Sequence, residues 1–315
     1  MKFHLLVAAF LLSFSSARPA AAAAPLPFVV KQVGPGVYAC IDGPEHKSGS
    51  NAGFVIGDNG VLVVDSFFTP EAAQALVGEI HRLTAKPILY IVNSHYHLDH
   101  TGGDQVLRDA GAIIIAHRNV RAWLRTYNIH LFGDRITPEL QERIERLPLP
   151  DIVTDTSLAI WLGSRKVVIR AMPGHTGGDL TIFVPDARVL FTGDLFWRKV
   201  PPNLIDGTVS DWVATDRAFA EMPSAERLVY VPGHGDVGSD RDVRDFRAYL
   251  VDLEKLVSAG RGAHLAGDAL VRSIAPKLRM LHRDWIISDR AVGLEIRYMD
   301  EELAGTKSRP VSQPD

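Results

Sequence analysis

One junction constrains this chain more than any other. A continuous apolar stretch at 87–92 runs without a break into Asn93-Ser94-His95-Tyr96-His97-Leu98-Asp99-His100-Thr101-Gly102-Gly103. A run so short and so apolar reads as a strand buried on both faces. Ligand-type residues crowded at its end then sit on a rigid element and project into a common crevice. In His95-Tyr96-His97 the alternation lets two imidazoles point the same way, while Asp99 and His100 turn toward a neighbouring position. A single loop can thus serve two adjacent metals.

Three further segments repeat the theme at or just beyond apolar strands: Pro173-Gly174-His175-Thr176-Gly177-Gly178-Asp179, Phe191-Thr192-Gly193-Asp194 and Pro232-Gly233-His234-Gly235. Their glycines let backbone approach a site closely. Composition decides the ligand chemistry. With 12 histidines and one cysteine, Cys40, in 315 residues, an internal disulfide framework and a multi-cysteine zinc finger are excluded. Imidazole and carboxylate are the available ligands. A net charge of -3 provides no basic field for nucleic acid and leaves a small-molecule substrate as the expected partner. The histidines at 46, 81, 130, 264 and 282 lack partner spacing and read as surface or packing residues, and His117 is grouped with them.

The flanking pattern predicts two β-rich blocks relieved by helices. The first has runs at 28–33, 37–41, 52–56 and 61–64, with Asp58-Asn59-Gly60 as a hairpin signal. Thr69-Pro70-Glu71 opens a helix with a cap, a first-turn proline and an acid at the positive dipole end. A strand at 112–116 and a helical stretch near 119–127 follow. The second block has runs at 157–162, 166–172, 180–184 and 189–192, a helix from about Ser210 and a strand at 228–231. In the helix predicted over 241–258, Val243, Phe246, Leu250, Leu253 and Val257 recur at steps of three and four, so one face packs on the body. The domain expected is 24–260, followed by a helical extension at 261–303 and a disordered tail at 304–315. The segment 42–51, rich in glycine and serine, reads as a mobile flap.

Residues 1–23 read as a secretory signal peptide: Lys2, an apolar core at 5–14, then alanines up to a cleavage zone between Ala21 and Ala24. The apolar core is too short to span a bilayer, which takes about 20 residues. A periplasmic or secreted protein without a membrane span after cleavage is expected.

Together the four segments resemble the metallo-β-lactamase superfamily over about residues 28–258. The resemblance implies an α/β fold of four layers, αββα, with two mixed sheets face to face and a dinuclear zinc site at one edge. It implies that His95, His97 and His175 bind a first zinc, that Asp99, His100 and His234 bind a second, and that Asp194 bridges them. Two zinc ions per chain would generate an activated hydroxide to attack a carbonyl, with Asp99 orienting it and helping to move its proton.

Asp194 departs from many zinc β-lactamases, which carry Cys or Ser there; a bridging carboxylate is usual in the superfamily's thioesterases, lactonases and phosphodiesterases. The Gly-Cys-Gly-Arg segment of hydroxyacylglutathione hydrolases is absent too, replaced by 195–204. In that stretch the resemblance implies Arg198 or Lys199 as a clamp on a substrate carboxylate and Asn203 as a polariser, while Trp197 reads as core. The leading expectation is an exported zinc hydrolase that opens a cyclic amide or ester, β-lactam first. The alternatives are a lactonase or thioesterase-like hydrolase with the same site, a single-iron persulfide dioxygenase, and a non-catalytic periplasmic metal-binding redox partner.

Overall fold

A computed structural model describes residues 25–311. The expected export segment, 1–23, lies outside the described residues, as does 312–315. Among the described residues no helix is long and apolar enough to cross a membrane.

The first sheet is assembled in chain order from β1 (Phe28–Gly34), β2 (Val37–Asp42), β3 (Ala52–Ile56), β4 (Val61–Val64), β5 (Ile88–Val92), β6 (Ile113–His117) and β7 (Ile152–Thr154). Its first four strands pair antiparallel and β4 to β7 pair parallel. The second sheet has the order β12-β11-β10-β9-β8, from β8 (Ser157–Leu162), β9 (Arg165–Ala171), β10 (Leu180–Val184), β11 (Val189–Trp197) and β12 (Val229–His234). Only its β11–β12 pair is parallel.

The two-residue period of a strand explains why the sheets stack. In β4 all four residues are buried, but Leu62 and Val64 enter the core between the sheets, while Val61 and Val63 enter a different core. The intersheet core sets Leu62, Val92 and Ile115 together with Ile169, Ile182 and Phe191. On the outer face of the first sheet, α1 (Pro70–Leu83) and α3 (Asp104–Asp109) bring Leu76, Ile80 and Leu107 against Phe54 and Ile91. Thr69 caps α1 by accepting from Ala72 N, with Pro70 in the first turn, as its sequence predicts. The hairpin at Asp58-Asn59-Gly60 also latches the sheets together, because the Asp58 carboxylate accepts from Ser164 N at 2.7 Å.

Outside the second sheet lie α7 (Val209–Ala220), α8 (Asp240–Gly262), α9 (Gly267–Leu281) and α10 (Asp289–Ala304). The α/β sandwich is therefore the observed architecture, with helices on both outer faces. The stretch 261–303 is no appendage. Leu270, Ile274, Leu278 and Ile296 share one buried cluster with Phe246, Leu250 and Trp212 of the main body, so α8 to α10 close a single core.

Two expectations fail here for the same reason: polar groups find fixed partners. Residues 305–311 are not a loose tail, since Lys307 Nζ donates to Gly207 O at 2.6 Å and Trp123 Nε1 donates to Val311 O at 3.0 Å. The segment 42–51 is pinned, not a free flap. Asp42 accepts from Ser48 Oγ at 2.5 Å, Ser50 Oγ donates to Asp99 O at 2.5 Å, and Asn51 Nδ2 donates to Pro232 O at 2.8 Å. The helical stretch near 119–127 divides into α4 (Arg118–Trp123) and α5 (Tyr127–Phe132), and α6 (Pro138–Glu145), absent from the sequence reading, follows. The remaining short helix, α2 (Leu98–Thr101), lies directly after β5.

Candidate metal centre

The ends of β5, β9, β11 and β12 meet at one edge of the sandwich. His95 and His97 leave β5, and Asp99 and His100 lie in α2, with His97 at its N-cap. His175 follows β9, Asp194 lies within β11 and His234 ends β12. Two glycines make the convergence possible. Gly193 has φ +51°, and a Cβ there would sit 2.5 Å from Ser94 Cβ; a Cβ on Gly233 would fall 1.8 Å from Asp194 Oδ1. Any side chain at either position would push the loops apart.

All seven sequence-predicted ligands come together, in two sets. His95, His97, His175 and Asp194 form one, and Asp99, His100 and His234 form the other, with ligand atoms in each set within 4.8 Å of one another. Asp194 joins them. Its Oδ2 lies 3.2 Å from His175 Nε2 and 3.8 Å from His95 Nε2, while its Oδ1 lies 3.1 Å from His100 Nε2 and 3.5 Å from His234 Nε2. One carboxylate thus offers one oxygen to each set.

The residues fit metal ions. His95 Nε2, His100 Nε2, His234 Nε2 and Asp194 Oδ1 are all buried without a hydrogen-bond partner. Such atoms are incompletely satisfied by hydrogen bonds within the protein, and a cation would satisfy them. Imidazole with carboxylate, and no thiolate, suits zinc, iron or manganese.

Sequence reasoning missed the groups that hold the ligands. Asp65 Oδ2 lies 2.9 Å from His100 Nδ1 and also accepts from Ser94 Oγ at 2.8 Å. Asp206 Oδ2 lies 3.1 Å from His97 Nε2 and accepts from the Tyr96 hydroxyl. A carboxylate can only accept, so in the neutral rings these bonds place the proton on the outer nitrogen and turn the lone pair inward. Asp65 had a faint signal, an acid closing the apolar run at 61–64. Asp206, in the loop before α7, had none.

The two sets differ electrostatically. Burial drives His95 well below its usual value and His175 down to about 3. Burial opposes charge on His100 and His234 as well, but Asp194 and Asp99 outweigh it, lifting His100 well above its ordinary range and His234 to about 9. Asp99 and Asp194 are also penalised by burial, yet the surrounding imidazoles pull Asp99 to about 2 and Asp194 far below the usual carboxylate range.

A cleft of about 480 Å³ opens on the site, with His97, Asp99 and Asp194 in its lining. Asn203 is in its wall, although its Oδ1 accepts from Ile205 N at 3.1 Å. Trp197, expected in the core, lines the cleft and stacks on His234 with ring centroids 3.9 Å apart. Arg198 and Lys199 do not line it. Arg198 lies just past the end of β11 and pairs with Asp242 at 3.0 Å. Lys199, with φ +59°, turns the chain and pairs with Asp284 at 2.8 Å.

A four-layer α/β sandwich with a shared-carboxylate His/Asp cluster at its sheet edge defines a class of proteins with dinuclear metal sites. The metallo-beta-lactamase superfamily model matches residues 47–234, and the chain belongs to that superfamily. It is similar to a hydroxyacylglutathione hydrolase of Brucella anthropi, 26% identical over 183 residues, which are 58% of each chain. A second hydroxyacylglutathione hydrolase, from Brucella ovis, is 27% identical over 144 residues, 46% of this chain and 44% of that protein. The chain thus spans about half the length of the curated relatives it matches. Among solved structures, a metallo-beta-lactamase from Pontibacter korlensis aligns with TM-score 0.58 and 19% identity, over 71% of this chain and 99% of that one. A double mutant of the sec-alkyl sulfatase PisA1 aligns with TM-score 0.67 and 15% identity, over 88% of this chain and 50% of that one. At such identities the structural likeness speaks for the fold alone.

Proposed function

We propose that this chain is a dinuclear zinc hydrolase that attacks the acyl carbon of an ester or thioester. The observation that carries the proposal is Asp194, whose two oxygens face two sets of imidazoles at the mouth of a cleft, with His95 Nε2, His100 Nε2 and His234 Nε2 buried and without a hydrogen-bond partner. His95, His97 and His175 would hold one ion, Asp99, His100 and His234 the other, and Asp194 both. When bound, a zinc pair lowers the pKa of water from about 15.7 toward about 7 and polarises a carbonyl oxygen. Asp99, at the rim, orients the attacking water and receives its proton. Trp197 and the cleft walls exclude bulk solvent from the acyl group. The alternative of a cysteine nucleophile finds no support, because Cys40 is fully buried and burial pushes its thiol well above its usual value.

Ester or thioester is preferred to β-lactam on two grounds. The bridging residue is a carboxylate, and the clamp envisaged for a β-lactam carboxylate, Arg198 or Lys199, is engaged with Asp242 and Asp284. The similarity to hydroxyacylglutathione hydrolases supports the same choice. An exported location belongs to this reading through residues 1–23, and N-terminal sequencing of the protein from cell fractions checks it.

The deciding experiment combines metal analysis with a substrate panel: an aryl ester, a simple thioester, a homoserine lactone, nitrocefin and a carbapenem, each with and without chelator. About two zinc ions per chain and chelator-sensitive turnover of the ester or thioester are expected. Turnover of nitrocefin alone would reassign the substrate to β-lactam. One iron per chain with oxygen uptake would replace hydrolysis by the dioxygenase reading. Asp99→Ala should lower whichever hydrolysis is found by at least ~100-fold, the scale of a misplaced catalytic geometry.

A further inference from the structure

Part of the cleft wall comes from stretches of the chain outside the ligand motifs. Arg290, Ala291, Leu294 and Tyr298 of α10 line it at steps of one, three and four, so one face of this helix is turned to the cleft. Arg135, on the turn between α5 and α6, lines the same space. The rest of the surface is largely apolar, with Phe68, Leu131 and Phe132 among its members.

The charges in this cleft do not cancel. Asp99 and Asp194 belong to the metal ligand sets. Glu295 is buried and accepts from the Tyr249 hydroxyl at 2.7 Å, and burial pushes its carboxyl well above the usual range, toward the neutral form. Two guanidinium groups remain. Arg135 makes only a long contact, 3.5 Å, to Leu131 O, and among the described residues neither Arg135 nor Arg290 has a carboxylate partner. Their neighbours behave differently: Arg279 is paired with Asp289, immediately before Arg290. A cleft of about 480 Å³ is in the size range of small-molecule sites. An apolar lining with two unpaired guanidiniums complements an apolar body carrying one anionic group, such as a carboxylate, sulfate or sulfonate.

We infer that Arg135 and Arg290 form an anion subsite, and that the substrate is a small amphipathic anion whose apolar part lies against the cleft wall and whose charged group these two arginines hold. The inference rests on the hydrolase reading above and names the substrate class of that same site. It assigns to α10 the selection of substrate, a role the ligand motifs could not reveal.

Binding without turnover tests it separately from catalysis. The zinc-loaded full chain is titrated calorimetrically with hexane-1-sulfonate, a weak metal ligand, and with hexan-1-ol as its uncharged match. The sulfonate should bind at least ~5-fold more tightly than the alcohol, and Arg290→Gln and Arg135→Gln should each weaken the sulfonate by roughly fivefold, the upper end for an exposed ion pair. Arg290→Lys should recover part of the loss. Both side chains are exposed, so the melting temperature and zinc content of the variants should match those of the parent and exclude misfolding as the cause. Equal affinity for sulfonate and alcohol, absence of sulfonate binding, or unchanged affinity in both variants would overturn the subsite. Arginine-dependent sulfonate binding together with a blank hydrolysis panel would instead leave the subsite standing and defeat the hydrolase reading.

Discussion

The two halves of the metal cluster share Asp194 but are built differently. In the first half His95, His97 and His175 are sealed in, with no side chain more than 6% exposed. In the second, His100 is equally buried, but Asp99 and His234 are 30% and 18% exposed. In the first half burial keeps His95 and His175 neutral, and in the second nearby carboxylates keep His100 and His234 charged. Buried, neutral imidazoles are preorganised for a cation. A rim set must give up protons before it accepts one, and it is the part that faces substrate.

Removing what the halves share should have the largest effect. Asp194→Ala should abolish hydrolysis and reduce metal content at both positions; retention of one full equivalent would show that the first half does not need the shared carboxylate. Next come the supports. Asp206→Ala should weaken the first half and Asp65→Ala the second, each by about 10–100-fold in metal affinity. Chelator competition on the two variants would break the comparison if both lost the same ion.

Proton competition sharpens it further. His100 and His234 are raised in the metal-free site, so binding there must release their protons, and affinity should climb with pH up to about 9. His95 and His175 are already neutral, so they release no protons on binding and add no pH dependence to the first half between about pH 6 and 8. Metal titrations at those two values should give a singly loaded protein at the lower one. For the metal-free fold the sign reverses. The stabilisation from raised histidines is complete below about pH 6.5 and is lost as pH rises through about 9, so chelated protein should melt lower on the alkaline side. The smallest effect is expected at Lys307, whose buried ammonium joins Glu302 and donates to Gly207 O beside Asp206. Lys307→Met should cost about 1–3 kcal/mol of stability and weaken only the first half, by a few fold; loss from the second half would count against that route.

Much of the site was legible because metal ligation needs particular side chains at particular offsets. His95, His97, Asp99 and His100 are close in the chain, and the glycines around His175, Asp194 and His234 marked the other loops. Trp197, Arg198 and Lys199 were misjudged because β11 runs past Asp194 and ends at Trp197, which leaves Trp197 on the cleft while the chain turns Arg198 and Lys199 to carboxylates elsewhere. The loop at 42–51 looked mobile from its composition, yet Asp42, Ser50 and Asn51 each find a partner that is distant in sequence or hidden in a turn.

The sequence by itself determined the layers and the metal chemistry of this protein. Continuous apolar runs of strand length must bury both faces, and a chain with one cysteine and clustered histidines can hold a metal only through imidazole and carboxylate. Tertiary structure alone decided which carboxylates orient those imidazoles, and what forms the cleft. Asp65, Asp206, Arg135 and Arg290 lie far from the motifs along the chain. Their roles arise from packing, which brings together groups that no local spacing relates.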